Sequence, residues 1–265
     1  MERPTGFAAA YSAVAHVLVG ELTDHCAVGG SDGHHLQRVR RLRPGEAVTA
    51  ADGAGRWRPY RVVTGAVGTV ELEATGLVHE EPGLVPGLAV AFGVTRGDTP
   101  DVVTGQLTQL GVDRIVAVTM ARSVARWDGS RAAHAGERLG RIAREAAMQS
   151  RRSRLPEIRV EPSLTALADH PGLVIAERGG DAVEALTPPG GGEWLLVIGP
   201  EGGFDDAERE LLADVPSVSL GPFQLRAGTA ATVAAGMFTS RRRTAIFSRE
   251  TERLSRETRE NTQFR

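Results

Sequence analysis

The sequence predicts an α/β fold in which a small β-barrel precedes a parallel sheet covered by helices. Three observations carry this prediction: short alternating segments with turn signals up to residue 78, a Pro/Gly-rich stretch at 79–87, and apolar strands that alternate with amphipathic helices from residue 88. The chain has 265 residues, of which 41% are hydrophobic, and this is enough for two modest domains that each bury a core.

Residues 1–78 are predicted to form the barrel. The segment EAVTAADGAGRWRPYRVV alternates apolar and polar residues and is interrupted at Asp52-Gly53, a dipeptide typical of hairpin turns; GTVELEATG then supplies a further strand. The next stretch, HEEPGLVPG, contains two prolines and two glycines and is typical of a linker. The domain boundary is therefore predicted there.

Residues 79–240 are predicted to form the second domain. Its predicted strands are LAVAFGV, DRIVAVTM, LVIAE, WLLVIG and VSLG, and its predicted helices are DVVTGQLTQLG, ERLGRIAREAAMQS, FDDAERELLAD and TAATVAAGMFTS. This alternation indicates a parallel sheet, and such sheets bind ligands beyond the carboxyl ends of their strands. Residues 241–265 are dense in charge and poor in apolar residues, which predicts a disordered tail.

Composition excludes several kinds of chemistry. All 31 basic residues are arginine, so a Schiff-base lysine and a lysine-containing phosphate loop are both absent. The single cysteine, Cys26, excludes an internal disulfide and a cysteine-cluster metal site, and we expect no metal. No apolar run approaches the roughly 20 residues of a membrane helix, so we expect a cytoplasmic protein without membrane contact.

Arginine is concentrated in two segments although the net charge is −2. Residues 34–45 contain four arginines and two histidines without an acid, and residues 138–159 are similarly basic. We expect these segments to contact RNA phosphates, with a solvated surface as the equally weighted alternative. The RNA-binding candidates are Arg38, Arg41, Arg151, Arg152 and Arg154.

Two glycine-rich turns follow the last two predicted strands of the second domain. They are IGPEGGF and LGPFQLRAGTAA, and glycine at a strand end lets a ligand approach the main chain closely. Neither turn matches the dinucleotide pattern G-x-G-x-x-G. Asp205 and Asp206 occupy the helix start where a phosphate would bind, so a neutral or cationic ligand is favoured.

These two motifs resemble those of the SPOUT methyltransferases, specifically the family that methylates N3 of a uridine in 16S ribosomal RNA. Three upstream stretches are also similar to that family: HHLQRVRRLRPGE, QLGVDRIVAV and REAAMQSRRSRLPEI. The resemblance implies a PUA-like barrel, a SPOUT α/β domain with a deep trefoil knot, and S-adenosylmethionine as the methyl donor. It also implies a homodimer that acts on the 30S subunit.

The resemblance assigns residues to the cofactor and to catalysis. The implied cofactor-binding residues are Ala176, Glu177, Ile198, Gly199, Pro200, Gly203, Leu220, Gly221, Leu225, Thr229 and Ala230. Arg226 is the candidate for stabilising charge on the uracil oxygens, with a structural ion pair as its alternative role. Glu201 is the candidate base, with capping of the next helix as its alternative.

The sequence departs from the family at four places. Ala227-Gly228 stands where members usually have Thr-Glu or Thr-Ser, Gln106 and Gln109 replace a lysine and a glutamate, and Met148 replaces a glutamate. Two alternatives therefore remain open beside rRNA methylation. One is a methyltransferase of the same fold that acts on a small nucleoside-like molecule, and the other is an inactive protein that binds RNA or assists assembly.

Overall fold

The computed structural model describes residues 12–38, 40–63, 68–189 and 192–242, and these divide into two compact units. The first unit extends to Gly83 and also contains Ala143–Leu155; the second contains Leu84–Ile142 and the described residues from Pro156 onward. The sequence prediction had placed the boundary at residue 78 and all of 79–240 in one domain. The segment Ala143–Leu155 belongs to the first unit because its buried side chains pack there, a contact that local sequence does not reveal.

In its described residues the first unit has a six-stranded sheet, a short helix and the end of a longer helix. Its elements are β1 (Ala15–Leu18), β2 (His25–Val28), α1 (Gly30–Arg38), β3 (Ala47–Ala51), β4 (Arg56–Val62), β5 (Val70–Ala74) and β6 (His79–Glu80). The strand order is β1-β3-β4-β5-β2, with β6 paired to β4. Among the strand pairs of the described residues, β1–β3 is parallel and the others are antiparallel. The sequence analysis predicted β3, β4 and β5 but did not identify β1, β2, β6 or α1.

The predicted hairpin at Asp52 joins β3 to β4. The Asp52 carboxylate accepts hydrogen bonds from the backbone N–H groups of Ala54 at 2.8 Å and Arg56 at 3.1 Å. Its other oxygen accepts from the Arg56 side chain at 2.7 Å. An aspartate that binds the backbone of the following residues is a recognised way to close such a turn, so the chemistry of the turn was readable from sequence.

His16 of β1 is buried at 8% exposure, and its Nδ1 lies 2.7 Å from the Thr49 hydroxyl. Burial lowers the pKa of His16 from 6.5 to about 4; a hydrogen bond with the Arg152 backbone opposes this shift, and the charge of Arg151 adds to it. Because the unfolded chain takes up the proton near pH 6.5 and the folded chain does not, acidification favours unfolding.

We therefore expect the free energy of unfolding to fall by about 2 kcal/mol through His16 alone between about pH 7.5 and pH 5. Urea denaturation at the two pH values measures this loss. His16→Gln keeps a polar group beside Thr49 but does not titrate, so its loss over the same range should be smaller by that amount. Equal losses in both proteins would contradict the assignment to His16.

The second unit is a parallel sheet with helices on both faces. Its strands are β7 (Gly87–Gly93), β8 (Arg114–Val118), β9 (Glu157–Glu161), β10 (Leu173–Asp181), β11 (Glu193–Ile198) and β12 (Ser217–Val218). Its helices are α2 (Thr99–Gln109), the first part of α3 (Gly129–Ser150), α4 (Asp206–Leu211) and α5 at residues 227–242. The predicted strands and helices are confirmed, and β9 is an additional strand that the sequence analysis did not identify.

Alternate residues of the central strands face opposite sides of this sheet. Leu88, Val90 and Phe92 of β7 pack in one core with residues of α2, α3 and α5. Ala89 and Ala91 pack on the other side, where α4 ends and a 3₁₀ turn (Leu164–Leu167) covers the sheet. Strands buried on both faces have continuous apolar sequences, and this is why they were recognisable.

The strand order is β12-β10-β11-β7-β8-β9. The chain therefore builds outward from β7 to β9, crosses to β10, and then inserts β11 between β10 and β7. The last strand, β12, pairs with the other side of β10. As a result, the loops that leave β11 and β12 lie on either side of β10 at the same end of the sheet.

Candidate functional site

The two glycine-rich turns predicted from sequence border one cavity of about 850 Å³. Its walls come from the middle of β10, the loop after β11, the last turn of α4, and the segment from β12 into α5. The lining residues are Ala176, Glu177, Arg178, Gly199, Pro200, Glu201, Gly202, Gly203, Phe204, Arg209, Leu220, Gly221, Phe223, Gln224, Leu225, Arg226, Ala227 and Ala230. Small-molecule sites occupy roughly 300–1,000 Å³, so this cavity has the size of a nucleoside-containing ligand site.

The loop after β11 is fixed by a turn and by a helix cap. Gly203 has φ of +69°, which glycine adopts without strain, and its N–H donates to the Pro200 carbonyl at 2.8 Å. Asp205 then caps α4: its side chain accepts from the Glu208 N–H at 2.8 Å, and the Glu208 carboxylate accepts from the Asp205 N–H at 3.1 Å. The cap is therefore Asp205, and the alternative that Glu201 caps this helix is wrong.

Neighbouring segments hold this loop from outside the cavity. Pro200 is buried and packs so closely on Gly93, at the end of β7, that a Cβ there would lie 2.9 Å from the ring. Arg122 donates to the Gly202 carbonyl at 3.0 Å, and the Ala121 N–H donates to Glu208 at 2.8 Å. The loop is thus positioned by the strand ends on one side and by residues 121–122 on the other.

The loop after β12 presents exposed side chains at the cavity. Gly221 has φ of +134°, a conformation that side chains rarely allow, and a Cβ there would meet nothing within 4 Å. Phe223, Gln224 and Arg226 are exposed. Within the described part of the chain, the Arg226 guanidinium makes no hydrogen bond or ion pair, so the structural ion pair considered for it is not formed.

Five charged side chains line the cavity, and two of them pair with each other. Arg209 Nη1 lies 3.0 Å from Glu177 Oε1, which fixes the side chain in the middle of β10. Arg178, Glu201 and Arg226 have no hydrogen-bonding or ionic partner among the residues that the structure describes. The cavity therefore offers two guanidinium groups and one carboxylate that are free to bind a ligand.

Most of the sequence-predicted site residues come together at this cavity. Both catalytic candidates, Arg226 and Glu201, line it, as do nine of the eleven cofactor candidates: Ala176, Glu177, Gly199, Pro200, Gly203, Leu220, Gly221, Leu225 and Ala230. Ile198 is instead buried in the core at 2% exposure, and Thr229 is exposed on α5 outside the lining. The assignment of all eleven residues to the cofactor stays a prediction.

Sequence reasoning missed several lining residues, chiefly Arg178, Arg209 and Phe223. Arg178 follows Glu177 directly, and Phe223 lies inside the quoted motif LGPFQLRAGTAA, so position in the chain could have suggested both. Arg209 could not have been found this way, because α4 folds back and brings it to Glu177 across 32 residues.

Tight helix packing accounts for the unusual Ala227-Gly228. Ala227 is buried at 7% exposure at the start of α5. A Cβ at Gly228 would lie 3.2 Å from Thr99 Cγ2 and 3.3 Å from Val103 Cγ2, both on α2. Gln106 of α2 accepts a hydrogen bond from Thr232 of α5 at 2.7 Å, which joins the same two helices. Small residues at 227–228 thus let α5 approach α2 closely.

We expect Gly228→Ser to lower the free energy of unfolding by about 1 kcal/mol, because the added side chain overpacks this contact. Adding Thr99→Ser, which removes the nearest methyl group, should restore part of the loss. Gly236→Ser is the matched control, since a Cβ at that position of α5 meets nothing within 4 Å. Equal effects at positions 228 and 236 in denaturant titrations would contradict this account.

Gln109 and Met148, the two remaining departures from the family pattern, lie in different surroundings. Gln109 is exposed on α2. Met148 is partly buried and packs on the small core of the first unit formed by Leu18, Ala51 and Ala147. Its role is therefore packing, as its apolar side chain indicates.

The RNA-binding candidates lie in the first unit in two kinds of environment. Arg38 and Arg41, at and beyond the end of α1, are exposed. Arg151 donates to the Ala13 carbonyl, and Arg154 donates to the Glu81 carbonyl at 2.8 Å. Arg152 is partly buried and is also engaged in an interaction. Arg38 and Arg41 are thus the candidates whose guanidinium groups have no partner among the residues that the structure describes.

The described residues offer neither a metal site nor a membrane-spanning helix. They contain no group of three or more His, Cys, Asp or Glu side chains arranged to hold a metal ion. None of the helices in the described ranges combines the length and the apolar character that a membrane span requires.

Comparison with known proteins identifies the chain. Residues 85–239 match the RNA methyltransferase domain family, and residues 28–65 match the RNA methyltransferase PUA domain family. The fold and the cavity thus define an RNA methyltransferase with a PUA-like N-terminal domain. A Mycobacterium bovis protein, ribosomal RNA small subunit methyltransferase E, is 34% identical over 223 residues, which cover 79% of this chain and 84% of that protein. The chain belongs to the ribosomal RNA small subunit methyltransferase E family.

Other relatives agree with this assignment. The Bacillus subtilis protein of the same name is 28% identical over 218 residues, 77% of this chain and 85% of that protein. The fold matches a Neisseria gonorrhoeae ribosomal RNA small subunit methyltransferase E bound to S-adenosyl methionine, with a TM-score of 0.74 and 24% identity over 85% of this chain and 97% of that one. The predicted PUA-like and SPOUT-type α/β fold is confirmed, and the trefoil knot stays a prediction.

Proposed function

We propose that this protein transfers a methyl group from S-adenosylmethionine to N3 of a uridine in 16S rRNA of the small ribosomal subunit. The observation that carries the proposal is the convergence of two glycine-rich loops on one cavity that also holds the unpaired Arg226 and Glu201. The relatives named ribosomal RNA small subunit methyltransferase E support the choice of rRNA as the substrate.

The cavity suits the proposed methyl donor in size and in charge. When bound, the donor supplies an electrophilic methyl group on a sulfonium centre. The residues present offer main-chain groups at Gly199 and Gly221, the free Arg178 for a carboxylate, and the acid Glu177 for positive charge. Methyl transfer from such a donor requires that its methyl group be oriented toward the acceptor atom, and it requires neither a metal ion nor a phosphate-binding loop. Main-chain groups on fixed loops can provide this orientation.

Methylation of a uracil at N3 requires that the N3 proton leave and that negative charge on the ring oxygens be stabilised. Arg226 is assigned the second task, because an exposed guanidinium at the cavity can donate two hydrogen bonds to an oxygen-bearing ring edge. Glu201 is assigned the first, as a carboxylate at the same cavity that no residue of the described chain engages.

RNA binding is assigned to the first unit, chiefly to Arg38 and Arg41. Their guanidinium groups are exposed and suit phosphate oxygens, so affinity for 30S subunits is expected to fall steeply with salt. The homodimer implied by the family resemblance and a cytoplasmic location, where ribosomal substrates occur, are parts of the same proposal.

Mass spectrometry of 16S rRNA tests the proposal. RNA from a strain that lacks this gene should contain less 3-methyluridine than RNA from the parent, and the purified protein with S-adenosylmethionine should restore it on 30S subunits from the deletion strain. Unchanged 3-methyluridine would overturn the choice of base atom, and a methylated small nucleoside without RNA would favour the alternative acceptor. The alternative of an inactive protein that binds RNA or assists assembly depends on a closed cofactor pocket. The cavity between the two glycine-rich loops is instead open, with a volume of about 850 Å³.

A further inference from the structure

Phe223 is exposed to an unusual extent for an aromatic residue. Its exposure is 81%, the highest among the large hydrophobic side chains that the structure describes. It packs in none of the hydrophobic clusters of the second unit. Single exposed apolar side chains are common on protein surfaces, so a role for Phe223 is indicated by its position at the cavity and not by its exposure alone.

The ring lies at the cavity where the proposed chemistry takes place. Phe223 lines that cavity, two residues after Gly221 and three residues before Arg226. The loop belongs to β12, which is the edge strand of the sheet, so the ring is not covered by a further strand. An incoming substrate would therefore meet Phe223 and Arg226 together.

The surroundings of the ring favour a nucleobase over a protein surface. The other exposed side chains at this cavity are all polar: Arg178, Glu201, Arg209, Gln224 and Arg226. The buried core of a protein–protein interface is more apolar than the rest of the surface, whereas the exposed side chains beside this ring are polar or charged. A nucleobase instead needs one flat ring for its face and hydrogen-bonding groups for its edge, and that combination is present.

We propose that Phe223 stacks on the face of the target nucleobase and holds it while Arg226 binds the base edge. The inference rests on the proposed function and names the feature of the substrate that this loop recognises, a single unpaired base. Bases that undergo chemistry are taken out of the helix and are commonly held against aromatic side chains. Phe223 is thus a positioning residue for the acceptor, separate from the residues assigned to the methyl donor.

Kinetics on 30S subunits that lack the modification tests this inference. Phe223→Ala and Phe223→Leu are both expected to lower kcat/KM by about 10–100-fold, the loss that corresponds to one aromatic stack. Phe223→Trp should retain most of the activity, because it restores a π-face. Affinity for S-adenosylmethionine, measured by calorimetry, should be unchanged in all three variants.

The matched control is Leu77→Ala, which removes an equally exposed apolar side chain, at 80%, from the first unit. Full activity of Phe223→Ala, or activity of Phe223→Leu equal to that of Phe223→Trp, would overturn the stacking role. A changed oligomeric state of Phe223→Ala in light scattering would also overturn it and assign the ring to a contact between copies of the chain. A wild-type protein that leaves 30S subunits unmethylated would overturn the proposed function itself, and this inference with it.

Discussion

Arg226→Ala is expected to lower the rate constant for methyl transfer to 30S subunits by about 10²–10³-fold, the usual loss when one donor to a developing oxyanion is removed. Arg226 lines the cavity, is exposed, and has no partner within the described residues, so the substitution should leave the fold unchanged. Single-turnover methylation with labelled S-adenosylmethionine measures the rate constant.

Two controls separate charge stabilisation from simple binding. Arg226→Lys keeps the charge but not the planar pair of donors, so its rate should lie between those of the wild type and Arg226→Ala. Arg178→Ala removes the other unpaired guanidinium of the same cavity and should change affinity for S-adenosylmethionine more than the rate constant. A normal rate in Arg226→Ala would remove Arg226 from the catalytic role.

Arg242→Ala is expected to lower the free energy of unfolding by about 3–5 kcal/mol, the range found when one partner of a buried ion pair is removed. The Arg242 side chain is 0% exposed and pairs with Asp113. It also donates to the Gly111 carbonyl at 3.2 Å and to the Leu84 carbonyl at 3.3 Å. Burial lowers the pKa of Arg242, and the Asp113 carboxylate opposes that effect.

Denaturant unfolding of the two proteins measures this difference. Arg141→Ala is the matched control, because Arg141 is exposed on α3 and the described residues give it no partner; its effect should stay within about 0.5 kcal/mol. Replacing Asp113 with asparagine in the Arg242→Ala background should recover part of the stability, because it removes the negative charge that Arg242 balances while an amide oxygen can still accept from the Leu88 N–H. A loss below about 1 kcal/mol in Arg242→Ala would contradict the structural role given to this pair.

Arg242 also marks a limit of sequence reasoning. Residues 241–265 were predicted as a charged tail, yet Arg241 and Arg242 lie at the end of α5 and are anchored to the second unit. Three consecutive arginines indicate solvent exposure when only local composition is available. The carbonyls and the carboxylate that receive them come from segments more than 50 residues away, so no local pattern could reveal them. Residues 243–265 lie outside the described residues, and the tail prediction for them stays a prediction.

The strands of the second unit were readable because each is buried on both faces and therefore continuously apolar. β9 was missed for the opposite reason: as an edge strand with the sequence EIRVE, it alternates charged and apolar residues beside an arginine-rich segment. The candidate RNA contacts were equally hard to separate by sequence. Arg154 and Arg38 both lie in arginine-rich segments, yet Arg154 donates a hydrogen bond to the Glu81 carbonyl.

The sequence by itself determined the order of elements, the two glycine-rich turns, and most residues that face the cavity, because turn chemistry and apolar periodicity depend on neighbours along the chain. Only the tertiary structure decided that β10 lies between the two turns and that Glu177 pairs with Arg209. It also decided that α2 packs closely on Gly228 and that Phe223 is exposed. These features depend on contacts between segments distant in the chain, whose energies appear only once the sheet order brings them together.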